Sequence, residues 1–238
     1  MNDNMFNEPN YGIEQAREPL SAYTAKTFGW MALGLLVTFL VAFGGYASGL
    51  TIYALIAVPM LPFILLIAEV VVVIALGRKL GTLSTGAALG LFFLYAALNG
   101  VTFSSLFLLY DLSSMVLVFG FTAVYFAVLA GYGYLTKRDL SRLAPMLFGG
   151  LIFLALFWVL SMFLPLSSFD RIACIIGLVI FMGYTAYDTQ KIKTMYYATE
   201  GNETLAQNAA IYCALQLYLD FINLFLYILR LIGRSNKN

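Results

Sequence analysis

Seven predominantly apolar runs, each roughly 20 residues long, dominate this chain, at residues 27–47, 55–76, 86–109, 115–135, 146–164, 172–188 and 210–231. A bilayer core offers no water to the backbone, so each crossing segment must satisfy its own N–H and C=O groups. Helices of about 20 residues do this, whereas barrel strands would alternate over about 10. The pattern predicts an all-α fold, a polytopic membrane bundle of seven helices. With 62% hydrophobic and 11% charged residues over 238 positions, the composition lies far from the roughly 25% charge of soluble domains. The lipid bilayer is the first expected partner.

Net charge is +1 and basic residues form no long run, so the chain has no electrostatic footprint for nucleic acid. Histidine is absent, which removes the usual near-neutral base and the commonest transition-metal ligand. Cys174 and Cys213 lie inside apolar runs without a second thiol at ligand spacing, and are read as packing residues. No resident cofactor is expected.

Residues 1–26 are polar and acidic in balance, without the basic start and short apolar core of a signal peptide. They are read as a disordered cytoplasmic tail, residues 27–231 as the transmembrane domain and residues 232–238 as a basic C-terminal tail. Nine basic residues fall on one side of the predicted bundle: Arg17, Lys26, Arg78, Lys79, Lys137, Arg138, Arg142, Lys191 and Lys193. Arg171 alone occupies the opposite loops, which puts the N-terminus in the cytoplasm. A full seventh crossing would carry Arg230, Arg234 and Lys237 outward. Two arrangements are open for that helix: full crossing, or a partial or re-entrant course. Ser84 is placed to cap the third span, and Pro59 and Pro62 to kink the second. No internal repeat is evident.

The buried polar residues narrow the function. Cys213, Gln216, Asp220, Asn223 and Tyr227 follow one another at intervals of three and four, so they share one face of the last helix. Its remaining positions are apolar and face neighbours or lipid. Asp188 closes the sixth span with Tyr184 and Thr185 on its face, and is the natural partner of Asp220. Two carboxyls in a poorly solvated site cannot both ionise cheaply and tend to share a proton. Counting at 1.5 Å per residue from the outer helix ends leaves the two offset by roughly 8 Å, to be closed by tilt, a deeper start or a partial crossing. Glu69 has only apolar helical neighbours and is expected to carry its proton. Asn99, with Tyr95 and Thr102 on its face, completes the groups able to line an interior path.

The stretches TAYDTQKIK (residues 185–193), LQLYLDFINLFLYILRL (215–231) and GYLTKRDLS (133–141) resemble the Bax inhibitor family, the transmembrane Bax inhibitor motif proteins, and most closely its bacterial YccA/YbhL-like branch. The resemblance covers nearly the whole chain from Ala22. It implies a bacterial inner-membrane protein with six helices around a central last helix and a cation path, chiefly for calcium, gated by an aspartate pair that maps onto Asp188 and Asp220. It also implies that Glu69 is the acid of the second span and that Arg78 or Lys79 is the basic gate residue, with Asn99 and Asn223 as support. Hard carboxylate oxygens suit transient Ca²⁺ at Asp188 and Asp220. The expected function is a pH-sensitive calcium leak, with Ca²⁺ and protons as partners.

A second expectation is a non-transporting regulator that binds other membrane proteins, such as a membrane protease or a stress-response partner, through the acidic tail. An enzyme is not expected: the contexts AYDTQ and YLDFI differ from the GxGD setting of intramembrane aspartyl proteases. The last span also has no lysine for a retinal Schiff base.

Overall fold

The computed structural model describes residues 18–233. Most of the predicted N-terminal tail, residues 1–17, and residues 234–238 of the C-terminal tail lie outside the described residues. The helices in chain order are α1 (Leu20–Ala47), α2 (Leu50–Ala57), α3 (Leu61–Arg78), α4 (Thr85–Ser104), α5 (Leu106–Leu109), α6 (Leu112–Leu135), α7 (Ala144–Ser161), α8 (Asp170–Ala198) and α9 (Glu203–Ile232), with no strand among the described residues. Seven helical stretches are long and apolar enough to cross a membrane, α4 with α5 and α7 with its preceding 3-10 turn each counting as one.

The punctuation has local causes. Ser84 Oγ accepts the amide of Ala87 at 3.3 Å and starts α4, as the sequence predicts. Asp111 does the same for α6 through Ser114, and Asn202 for α9 through Leu205, both at 2.9 Å. The two prolines break the second span rather than merely kinking it. Pro59 keeps Val58 out of the helical region at φ −132°, and Pro62 sits in the first turn of α3, where its missing N–H costs nothing.

Helix α9 is the axis of the bundle. It packs against α1, α4, α6 and α8, while α3 leans on α4 and α7 on α8 as an outer layer. Buried side chains take up 72% of its membrane-length window, against 11% for α3 and for α7. Leu215, Leu217, Tyr218 and Leu224 are all fully buried, and only the face of Tyr212, Gln216, Leu219, Asn223 and Leu226 is half-exposed. The C-terminal Arg230 of α9 lines one cavity with Ser167 and Asp170 at the start of α8, and at 30 residues α9 is long and apolar enough for a full crossing.

Three helices extend well past their predicted spans, α9 beginning at Glu203, seven residues before Ala210. Helix α1 begins at Leu20, seven residues before the predicted span, with Lys26 facing Glu18 at 3.8 Å. Helix α8 does not end at Asp188 but continues ten residues to Ala198. Gln190 accepts the amide of Leu140 and donates to the carbonyl of Arg138, both at 2.8 Å. Lys193 donates to the Tyr134 carbonyl and lies over that residue's ring. An apolar run measures the membrane crossing; the helix continues wherever polar side chains find partners beyond it.

Close approach is decided by small residues. A Cβ at Gly133 of α6 would lie 2.2 Å from the Ala186 carbonyl oxygen of α8. At Gly177 of α8 it would lie 2.4 Å from the Tyr227 ring of α9.

Candidate functional site

The α8–α9 pair carries both aspartates, and its register can be read from three contacts. Tyr227 covers Gly177, its ring is centred 5.8 Å from that of Phe181, and the Lys191 ammonium lies 5.4 Å from the Tyr212 ring. In that antiparallel register Asp188 stands opposite the single turn of α9 from Gln216 to Asp220. The outer ends of α8 and α9 lie within two residues of the predicted ones, so it is this register, not helix length, that narrows the roughly 8 Å offset counted from the span ends.

Asp188 is 4% exposed and Asp220 3%. Oδ1 of Asp188, Oδ2 of Asp220 and Oε1 of Gln216 are all enclosed without a hydrogen-bond donor. The charges acting on Asp220 are those of Asp188 and Lys191, and Lys191 also acts on Asp188. Two acids thus face one cation in an enclosed space. Desolvation makes a second uncompensated carboxylate costly here. The nearby hydroxyls of Thr185 and Thr189 do not donate to either carboxyl; they donate back to the Phe181 and Thr185 carbonyls at 2.8 and 2.7 Å.

The other predicted residues are not gathered at this point. Glu69 is half-buried on α3 and accepts a 2.8 Å hydrogen bond from Thr102 of α4. It therefore has a polar neighbour across the helix interface, where its own helix offers only apolar ones. Asn99 is buried near Tyr95 with its amide nitrogen unpartnered. Asn223 donates to the Leu219 carbonyl of its own helix at 2.8 Å. Arg78 and Lys79 are exposed where α3 ends, and Lys191 is the base whose charge reaches both aspartates.

Lys191 is the residue that sequence reasoning missed, because it was assigned to a loop. Its position three residues after Asp188 is the signal: carrying the helix past the apolar run puts both on one face. A second miss is Tyr218 of α9, whose hydroxyl meets Thr38 Oγ1 at 2.6 Å, with the Ala96 carbonyl 2.9 Å from that same Thr38 oxygen. That contact joins α1, α4 and α9. Among the described residues no three Cys, Asp or Glu side chains cluster to hold a metal ion.

The family model described as "Inhibitor of apoptosis-promoting Bax1" matches residues 20–237. The inner membrane protein YbhL of Escherichia coli K12 is 40% identical over 222 residues, which cover 93% of this chain and 95% of that protein. An uncharacterized protein of Borreliella burgdorferi is 38% identical over 217 residues, covering 91% and 93%. An uncharacterized membrane protein of Streptococcus pyogenes is 32% identical over 248 residues, covering 99% and 100%. The family model reaches from the first turn of α1 past the end of α9 and so takes in the whole bundle with its enclosed aspartates: the chain is a multi-pass inner-membrane protein and belongs to the Bax inhibitor-1 family, which is not generally enzymatic.

Proposed function

We propose that the protein is a pH-sensitive calcium leak whose gate is the Asp188–Asp220 pair. The observation that carries this reading is the pair's deficit of donors: two enclosed carboxyls, each with an unpartnered oxygen, share one lysine. A proton held between them ties α8 to α9 and keeps the cytoplasmic half shut. Loss or gain of that proton changes both the charge and the hydrogen bonding across the most extensive helix contact of the bundle, and hence its packing. The same carboxylate oxygens are hard ligands suited to passing Ca²⁺. Toward the outer end, Tyr227 seated on Gly177 and against Phe181 closes the interface above the pair. Glu69, Asn99 and Asn223 supply further oxygens beside the path, and Lys191, with Arg78 or Lys79 farther out, supplies the balancing charge.

The test is Ca²⁺ entry into liposomes holding the purified protein, followed from acid to neutral pH, for wild type beside Asp188→Asn and Asp220→Asn. Each substitution is expected to flatten the pH dependence. An unchanged pH profile in both would remove the gate assignment, and absence of flux from every variant would remove the leak itself.

A second reading, a regulator that binds other membrane proteins, rests on the acidic residues of the N-terminal tail. Deletion of residues 1–18 is then expected to abolish a tail-dependent association and leave flux intact.

A further inference from the structure

At the outer end of the bundle, the α7–α8 turn, the α5–α6 turn and the end of α9 enclose a cavity of about 430 Å³, within the range of small-ligand pockets. Its wall includes Tyr110, Trp158, Ser167, Asp170, Arg171 and Arg230. The charge bias of the loops makes this the face where basic residues are disfavoured. Among the described residues, the two that it does carry, Arg171 and Arg230, both line this one cavity.

Among the described residues neither arginine forms an ion pair. The ion pair recorded among the described residues is Lys26 with Glu18, at the other end of the bundle. Asp170 shares the cavity wall but lies beyond ion-pairing distance of both guanidinium groups. Arg230 stacks on Trp158, its guanidinium carbon 4.4 Å from the ring centre, and lies beside the Cys174 thiol, a weak acceptor. Stacking occupies the flat face of a guanidinium and leaves its in-plane N–H donors free. Trp158 is itself held by its indole N–H, 3.5 Å from the Tyr227 hydroxyl. The result is a guanidinium held in place, a second beside it, and the hydroxyls of Tyr110 and Ser167, with no carboxylate partner.

We propose that this cavity binds a phosphate group, the ligand whose oxygens match a pair of guanidinium forks. Two arginines against Asp170 leave one net positive charge on the wall, which a singly charged phosphodiester balances. The cavity lies at the ends of α7, α8 and α9, on the face of the bundle where an anionic phospholipid headgroup could reach it. This site is separate from the aspartate pair, and the inference does not depend on the leak.

The test uses the full chain purified in neutral detergent. One arm titrates phosphatidylglycerol and reads both the retained one-to-one complex by native mass spectrometry and the melting temperature. The other arm titrates inorganic phosphate against chloride at equal ionic strength. Wild type is expected to gain roughly 5 °C or more at a ligand concentration about a hundredfold above its dissociation constant. Arg171→Gln and Arg230→Gln are each expected to weaken binding about tenfold to a hundredfold. Lys137→Gln/Arg138→Gln, altered at the opposite end, should bind as wild type does. A response to lipid alone identifies a headgroup as the source, and a response to inorganic phosphate identifies a soluble ligand; either supports the site. The proposal is overturned if wild type responds to neither, or if both arginine variants hold the lipid as wild type does. Arg171 is exposed and makes no side-chain hydrogen bond or ion pair among the described residues, so its variant keeps the test valid even where loss of the Arg230–Trp158 stack harms folding.

Discussion

Helices α9 and α3 are both apolar enough to cross a membrane, and each carries one carboxyl away from its ends, yet they solve the problem of that charge in opposite ways. On α9, Asp220 is enclosed by four other helices and has an oxygen without a donor, so its balance depends on another acid, a lysine and a proton. On α3, which rests mainly on α4, Glu69 is half-buried and one threonine hydroxyl meets it at 2.8 Å. An acid at the rim is satisfied by a neighbour and stays silent. In the proposed gate, an acid on the axis is satisfied only by a change of state, the property a switch would use.

If the interior of the bundle around α8 and α9 is its rigid part, the close helix contacts there should be the most sensitive to added volume. Gly133→Ala drives a methyl group into the backbone of α8, which no side-chain rotation can relieve. It is expected to cost about 3 kcal/mol or more, whereas Gly131→Ala, with open space at its Cβ, should be near neutral. Thermal unfolding of the two variants in detergent compares them directly, and equal stability would break the contrast. Thr38→Val should follow at about 1–3 kcal/mol, because it strands the fully buried Tyr218 hydroxyl. Tyr218→Phe in the same background should add little, and full additivity in the double-mutant cycle would show that the two hydroxyls act separately. At the rim, Glu69→Gln keeps an oxygen to accept from Thr102, so about 0.5 kcal/mol or less is expected. Its effect on calcium flux should be smaller than that of Asp220→Asn; the reverse ranking would move the functional acid from axis to rim.

Much of the fold was legible because crossing a membrane is a property of single segments. The apolar runs gave the seven spans, Ser84 its capping role, and the prolines the place where the second span fails. The three-and-four spacing from Cys213 to Tyr227 runs along α9 with Cys213, Asp220 and Tyr227 buried and Gln216 and Asn223 half-exposed. The candidate site was less legible: Asp188 was read as the end of a span and Lys191 as a loop residue, because hydropathy falls at Gln190 and the reading stopped there. The helix continues on the strength of Gln190 and Lys193 reaching the chain between α6 and α7, partners that lie fifty or more residues away in sequence. Likewise Glu69 acquires its threonine from the next helix.

The sequence alone determined how many helices cross, where they break and which residues are too polar to meet lipid, since each of these depends on the transfer free energy and local geometry of one segment. Only the tertiary structure decided that α9 is the most buried helix of the bundle, that Asp188 faces the turn ending in Asp220, and that Arg171 and Arg230 share one cavity. Those facts depend on register between helices, which is fixed by where glycines admit a neighbouring ring or backbone and cannot be summed from the residues of any one helix.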